Sequence, residues 1–180
     1  INNFHNEFGG IHGFCNNAAA SSGLGELHTF SNTDFDKTLD LSFKMLWLSL
    51  KCEIQYLTEK SLTASIVNIS SNAALRGYAN NSIYAASKAA VNSLTLSAAK
   101  ELGKKDIRIN AISPGTILTP GVENYFEQEP NAEDYLKSSI LLNRIGTPED
   151  IGNAVSFLLS EDSKYIHGQV ISIDGGSSIY

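Results

Sequence analysis

Tyr84 and Lys88 lie four residues apart in a segment rich in alanine, leucine and serine, so a helix would place them on one face. A phenol ionises near pH ~10, and acid/base work at neutral pH asks for a value lower by ~3 units, about 4 kcal/mol. An ammonium one turn away in a partly dry crevice favours the phenolate and supplies part of that. Ser71 precedes Tyr84 by thirteen residues, at the end of the apolar run S-I-V-N-I. From there its hydroxyl could hold a substrate carbonyl while the tyrosine protonates the oxygen. The spacing alone decides little, because among seven tyrosines it recurs at Tyr56 and Lys60. Thirteen residues before Tyr56 stands Phe43, in mid-helix, with no serine at a strand end. That second pair reads as a helix-surface pair.

The elements that must position these groups alternate along the chain. Residues 11–16 and 65–69 are short apolar runs that read as strands, as do 107–112 and 170–173. A helix starts at Ser31 or Thr33, competing N-caps, and runs to about Lys60. Another spans 82–102 and stops at Gly103, with Lys104 and Lys105 beside its C-terminus. Thr147-Pro148-Glu149-Asp150 opens a further helix with a capping box. Residues 118–142, with Pro120, Gly121 and Pro130, read as a mobile insertion. Strand and helix in alternation predict a parallel sheet covered on both faces, with its ligand crevice beyond the carboxyl ends of the strands. Asn16 and Asn17, Ser70 and Ser71, and residues 113–115 all fall at those ends.

The whole chain, 180 residues and 42% hydrophobic, reads as one domain. Its net charge of −6 argues against a nucleic-acid or anionic-membrane surface, and no apolar run spans a bilayer. No secretory leader is evident, and Cys15 and Cys52 read as core thiols of a reducing cytosol, so a cytoplasmic location is expected. His5, His28 and His167 form no metal-type spacing, and no metal site is expected.

Taken together, N-I-S-S (68–71), Y-A-A-S-K (84–88), R-I-N-A-I-S-P-G (108–115) and I-S-I-D-G-G (171–176) resemble the successive signatures of the short-chain dehydrogenase/reductase family. F-G-G-I-H-G-F-C-N-N-A (8–18) is similar to that family's fourth strand and N-N-A-G motif. The resemblance implies an α/β fold, a doubly wound parallel-sheet Rossmann-like domain. Here it would lack the first three strands and keep a half-sheet ordered 4-5-6-7. It implies an oxidoreductase that uses NAD or NADP to interconvert a small-molecule carbonyl and a secondary alcohol. Tyr84 would be the acid/base, Ser71 would orient the carbonyl, and Lys88 would bind the nicotinamide ribose. Asn16 and Ala18 would lie near the adenosine. Pro114, Gly115, Ile117 and Thr119 would contact the nicotinamide end, Ile117 through its backbone. A homodimer or homotetramer is implied, built on the helices at 33–60 and 82–102, whose outer faces carry Met45, Trp47, Leu48, Leu94 and Leu96. Residues 118–142 would form the substrate loop, with Tyr125, Phe126, Tyr135 and Leu136 as an apolar lining.

The departures from the family pattern matter as much. No glycine-rich turn places a pyrophosphate on a helix N-terminus, and Gly23-Leu24-Gly25 is no substitute. About 70 residues of the usual layout have no counterpart, among them the residue that selects NAD or NADP. Residues 1–180 alone are therefore expected to bind a dinucleotide weakly and not to turn over. Ser42 stands where the family carries an asparagine that feeds a proton path to the lysine. It reads either as a relay residue of the catalytic set or as a core serine bonded to a carbonyl one turn back. His12 replaces a common aspartate and reads as strand-end packing, and Ala19 replaces a glycine. Two other readings stand beside the enzyme: a truncated, inactive member kept for oligomerisation or regulation, and a doubly wound protein of another class, such as a methyltransferase. The Ser–Tyr–Lys set opposes the latter.

Overall fold

A computed structural model describes residues 1–179. Four parallel strands, β1 (Gly13–Asn16), β2 (Ala64–Ile69), β3 (Ile107–Pro114) and β4 (Val170–Ile173), form one sheet in the order β1-β2-β3-β4. This is the half-sheet expected from the sequence. Every residue of β2 is buried, which explains why the strand is apolar throughout rather than alternating: helices cover both faces. Its residues sort by parity. On one face Ile66, with Ile107 and Ile109 of β3, packs on Leu50 and Leu57 of one helix and on Ala98, Ala99 and Leu102 of another. On the other face Val67 and Ile69, with Ile112, pack on Leu158, Ile151 and Val155. The pairing of Ile66 with Ile109 and of Ile69 with Ile112 fixes this register, since a one-residue slip would exchange the two cores.

A short helix, α1 (Asn2–Phe8), precedes β1. The long helix after β1 is α2 (Asn32–Leu39) continued into α3 (Met45–Lys60). Ser31 is its cap, and a full capping box with Asp34 resolves the choice between Ser31 and Thr33. Between the two halves lies a π-turn, Asp40–Lys44, where the Met45 N–H reaches the Asp40 carbonyl. Ser42 is its central residue. The second long helix, α4 (Ser82–Leu102), has the bounds read from the sequence.

Three expectations need correction. Residues 118–142, read as a mobile insertion, carry regular structure, α5 (Pro120–Gln128) and α6 (Ala132–Ser138). Pro120 occupies the first helical position, where its missing N–H costs nothing. Cys15 and Cys52 are exposed rather than core thiols, because Cys15 alternates outward from β1, an outermost strand of this sheet. Leu94 packs against the core instead of lying on the outer face of α4. The last long helix, α7 (Pro148–Leu159), has the expected Thr147–Asp150 capping box.

Candidate active site

Ser71 follows β2 directly. The Ser70 amide still bonds the Ile112 carbonyl at 2.7 Å, continuing the sheet, and the next residue leaves it. Ser71 caps a short turn, its Oγ accepting the Ala73 N–H at 3.2 Å. Tyr84 sits in the first turn of α4 and Lys88 one turn further on. Lys88 is 1% exposed, and its Nζ donates to the Ile69 carbonyl at 2.8 Å. Ser70 Oγ donates to the Lys88 carbonyl at 3.1 Å, so the strand end grips the helix at the residue whose side chain grips the strand. The ammonium lies 5.7 Å from the centre of the Tyr84 ring.

These groups open on a crevice of about 510 Å³ beyond the carboxyl ends of the strands. Ser71, Tyr84, Lys88, Pro114, Gly115, Ile117 and Thr119 all line it, seven residues brought together from two strand-end loops and a helix. Gly115 has to be glycine, since a Cβ there would sit 2.8 Å from Asp174 Cα. Ile117 forms an isolated parallel bridge with Gly146, made through the Thr116 carbonyl and the Leu118 amide. That leaves the N–H and C=O of Ile117 itself outside the bridge.

The remaining site residues lie elsewhere. Asn16 points into the protein, its Nδ2 donating to Glu53 Oε2 and to Asn68 Oδ1, both at 3.0 Å. Asn68 in turn donates to Thr95 Oγ1, so a buried polar chain ties β1, β2, α3 and α4 together. Neither Asn16 nor Ala18 lines the crevice; Asn17 and Ala19 do, with Pro148 and Ile151 of α7. The signal for Asn17 was strand alternation: once Asn16 turns inward at a strand end, the next side chain faces the other way. Pro148 was read only as a helix start.

The match to known proteins follows the same outline. The family profile described as enoyl-(acyl carrier protein) reductase matches residues 1–178. Levodione reductase of Leifsonia aquatica is 38% identical over 176 residues, 95% of this chain and 66% of its own length. The 3-oxoacyl-[acyl-carrier-protein] reductase of Thermotoga maritima is 39% identical over 143 residues, 79% of this chain and 56% of that protein. The chain belongs to the short-chain dehydrogenase/reductase family. Among solved structures, ElxO with NADP bound superimposes with a TM-score of 0.93 at 33% identity, covering all of this chain and 72% of that one. Levodione reductase gives 0.90 at 36% identity, with 99% and 70% covered. The chain thus spans two thirds or less of the length of the curated relatives named here.

Against the family pattern, Ser42 acquires a definite environment. It is fully buried, and its Oγ donates to the Ala20 carbonyl at 2.5 Å while accepting the Ala20 N–H at 3.2 Å. The expected partner one turn back on its own helix is replaced by the loop after β1, twenty-two residues away. Thr38 and Asp34, one and two turns earlier, hold the same loop through the Ser22 amide at 3.0 Å and hydroxyl at 3.1 Å. Ser42 does not line the crevice.

Electrostatics differ from the simple expectation as well. Burial pushes the Tyr84 phenol above its ordinary value, and the neighbouring Ser71 hydroxyl pulls it the other way. Burial likewise brings Lys88 down to about 8. Desolvation therefore dominates both members of the pair.

Proposed function

We propose that the protein is an NAD(P)-dependent oxidoreductase that interconverts a carbonyl and a secondary alcohol. The observation that carries this is the convergence of Ser71, Tyr84 and a buried, cationic Lys88 on one crevice at the carboxyl end of the sheet. Tyr84 is the proton donor and acceptor at the substrate oxygen, and Ser71 holds that oxygen in place. Lys88 keeps positive charge beside the phenol, and with one of its three N–H donors on Ile69 it retains two for a ribose.

The crevice suits the nicotinamide end of a dinucleotide. Ile69, Pro114 and Ile151 give a planar ring an apolar wall, and the backbone groups of Ile117 lie outside the Gly146 bridge for a carboxamide. Bound there, the cofactor supplies or takes the hydride. Similar structures carry NADP or NADPH, which favours this cofactor class without choosing between NAD and NADP for this chain. Names among the relatives point to small ketones and 3-oxoacyl thioesters as the first substrates to try. The intact Ser–Tyr–Lys assembly favours a working enzyme over an inactive member kept for oligomerisation.

The protein is also proposed to form a homodimer or homotetramer through α3 and α4. Met45, Trp47 and Leu48 are between 39% and 50% exposed, with Leu96 at 44%, an apolar face larger than a free surface needs. No described helix is long and apolar enough to cross a membrane, and a cytoplasmic location is proposed.

The test is oxidation of NADH or NADPH by the purified full-length protein, residues 1–180 together with the nucleotide-binding segment, with levodione or acetoacetyl-coenzyme A, followed by nicotinamide absorbance. Ser71→Ala should lower kcat by roughly 10²-fold or more while the KM for the nucleotide holds. Full activity in Ser71→Ala would remove the serine from the proposed chemistry.

A further inference from the structure

Ser71 belongs to a loop, residues 70–81, whose only regular element is one short 3₁₀ turn, Asn72–Ala74. Such a loop holds a hydroxyl in place only if something outside it does the holding. Two ties lead to the same residue at the far end of the chain. Asn72, 4% exposed, donates from Nδ2 to the Ser177 hydroxyl at 2.9 Å, across 105 residues of sequence. The Arg76 guanidinium donates to the Ser177 carbonyl and, at 2.9 Å, to the Tyr78 hydroxyl, and it lies 5.0 Å from the Tyr78 ring centre.

Ser177 is itself fixed. It is 2% exposed, and its hydroxyl donates to Asp174 Oδ2 at 3.3 Å. Asp174 also accepts the Gly176 amide at 3.0 Å and the Ser178 amide at 2.9 Å, curling the tail back on the end of β4. The curl uses left-handed backbone at Gly175 and Gly176, where a Cβ would meet Ile140 at 2.6 Å and Leu141 at 2.8 Å. The tail is therefore a rigid abutment, and the Ser71 loop hangs on it.

We infer that residues 174–178 form a latch that sets the Ser71 hydroxyl, which makes Asn72, Arg76 and Ser177 positioning residues for the site. This rests on the role given to Ser71 above. The coupling to Ser71 is short. Ala73 donates its N–H to Ser71 Oγ, and Ala74 donates its N–H to the Ser71 carbonyl at 3.0 Å. Any drift of residues 72–76 is passed to Ser71 through these bonds. Loss of the Ser177 hydroxyl strands the buried Asn72 amide, which must then move to find another acceptor. A small displacement of an orienting group is enough to slow a reaction that depends on alignment.

Hydrogen exchange at the amides of Ala73, Ala74 and Leu75 reads the latch in the purified protein, with residues 109–112 of β3 as the internal reference. Ser177→Ala and Arg76→Gln should each speed exchange at the three loop amides by about tenfold and leave the β3 amides unchanged. Ser177→Thr, which keeps the hydroxyl, should restore protection. Arg76 is half-buried, so its replacement tests the latch even where Ser177→Ala does not fold. Turnover of NADPH with levodione or acetoacetyl-coenzyme A should show kcat lowered by roughly tenfold in both variants and the KM for NADPH unchanged. Wild-type protection in both variants overturns the latch, and faster exchange with wild-type kcat overturns its positioning role. A full-length wild-type protein that turns over neither substrate counts against the proposed function, and the exchange result then decides the latch by itself.

Discussion

Tyr56–Lys60 and Tyr84–Lys88 have the same residues at the same spacing on the same kind of element, and the fold uses them in opposite ways. In the first pair the tyrosine is buried, at 5% exposure, and Lys60 is exposed; in the second the lysine is buried and the tyrosine faces the crevice. Tyr56 is a post rather than the surface residue its spacing suggested. Its hydroxyl accepts the Ile11 N–H at 3.2 Å and meets His5 Nδ1 at 2.9 Å, tying α3 to the entry of β1. The hydroxyl of Tyr84 is left for the crevice and Ser71. A motif of two residues is therefore silent about function until the fold decides which of them is desolvated. Here the fold buries the cation beside a phenol that lines the crevice in one pair, and buries the phenol as a brace in the other.

The comparison is sharpened most by removing the buried charge. Lys88→Met should abolish most turnover, a loss of roughly 10²–10⁴-fold, whereas Lys60→Met should leave kcat within about twofold. The same substitution reports on pH. Lys88 falls to about 8 in the folded protein from an ordinary value near 10.5. Between those two values the unfolded chain holds more protons, so stability rises with pH across that window. Below about pH 8 the lysine is charged in both states and its burial penalty is constant. Thermal unfolding of the wild type should therefore gain on Lys88→Met as pH goes from 8 to 10. A parallel pair of curves would mean that Lys88 is not desolvated.

A smaller effect is expected at Ser42. Ser42→Ala removes both bonds to Ala20 and should cost about 1–2 kcal/mol in stability, while turnover changes by less than about fivefold. The Ala20 amide should lose its exchange protection in that variant. A large fall in kcat with unchanged stability would instead assign the hydroxyl a part in proton transfer.

What could be read from the sequence follows from how local each signal was. The strands β2 and β3 and the helix α4 stood out because their burial is written as continuous apolar runs and their ends as Gly and Lys. The signature serine, tyrosine, lysine and the Pro114–Thr119 turn lie within or beside those elements, and they line one crevice. Asn16 is different: its neighbours Glu53 and Asn68 come from other parts of the chain, and only the assembled fold shows that the amide is spent on them. The π-turn around Ser42 has no sequence signal of its own, and the partners of Ser42, Thr38 and Asp34 lie in the loop after β1, beyond the reach of local pattern. Helices α5 and α6 were hidden by Pro120, Gly121 and Pro130, residues that mark helix ends as readily as loops.

Tyr84→Phe and Tyr56→Phe, compared in one protein for both turnover and unfolding, test the central claim most directly. Tyr84→Phe should abolish reduction of levodione or acetoacetyl-coenzyme A by the nicotinamide cofactor, with the unfolding temperature held or raised. Tyr56→Phe should keep kcat within about twofold and lose about 1–3 kcal/mol of stability, because the Ile11 amide is left without its acceptor. The reverse pattern, activity lost at Tyr56 and stability lost at Tyr84, would contradict the assignment of Tyr84 and Lys88 as the reactive pair.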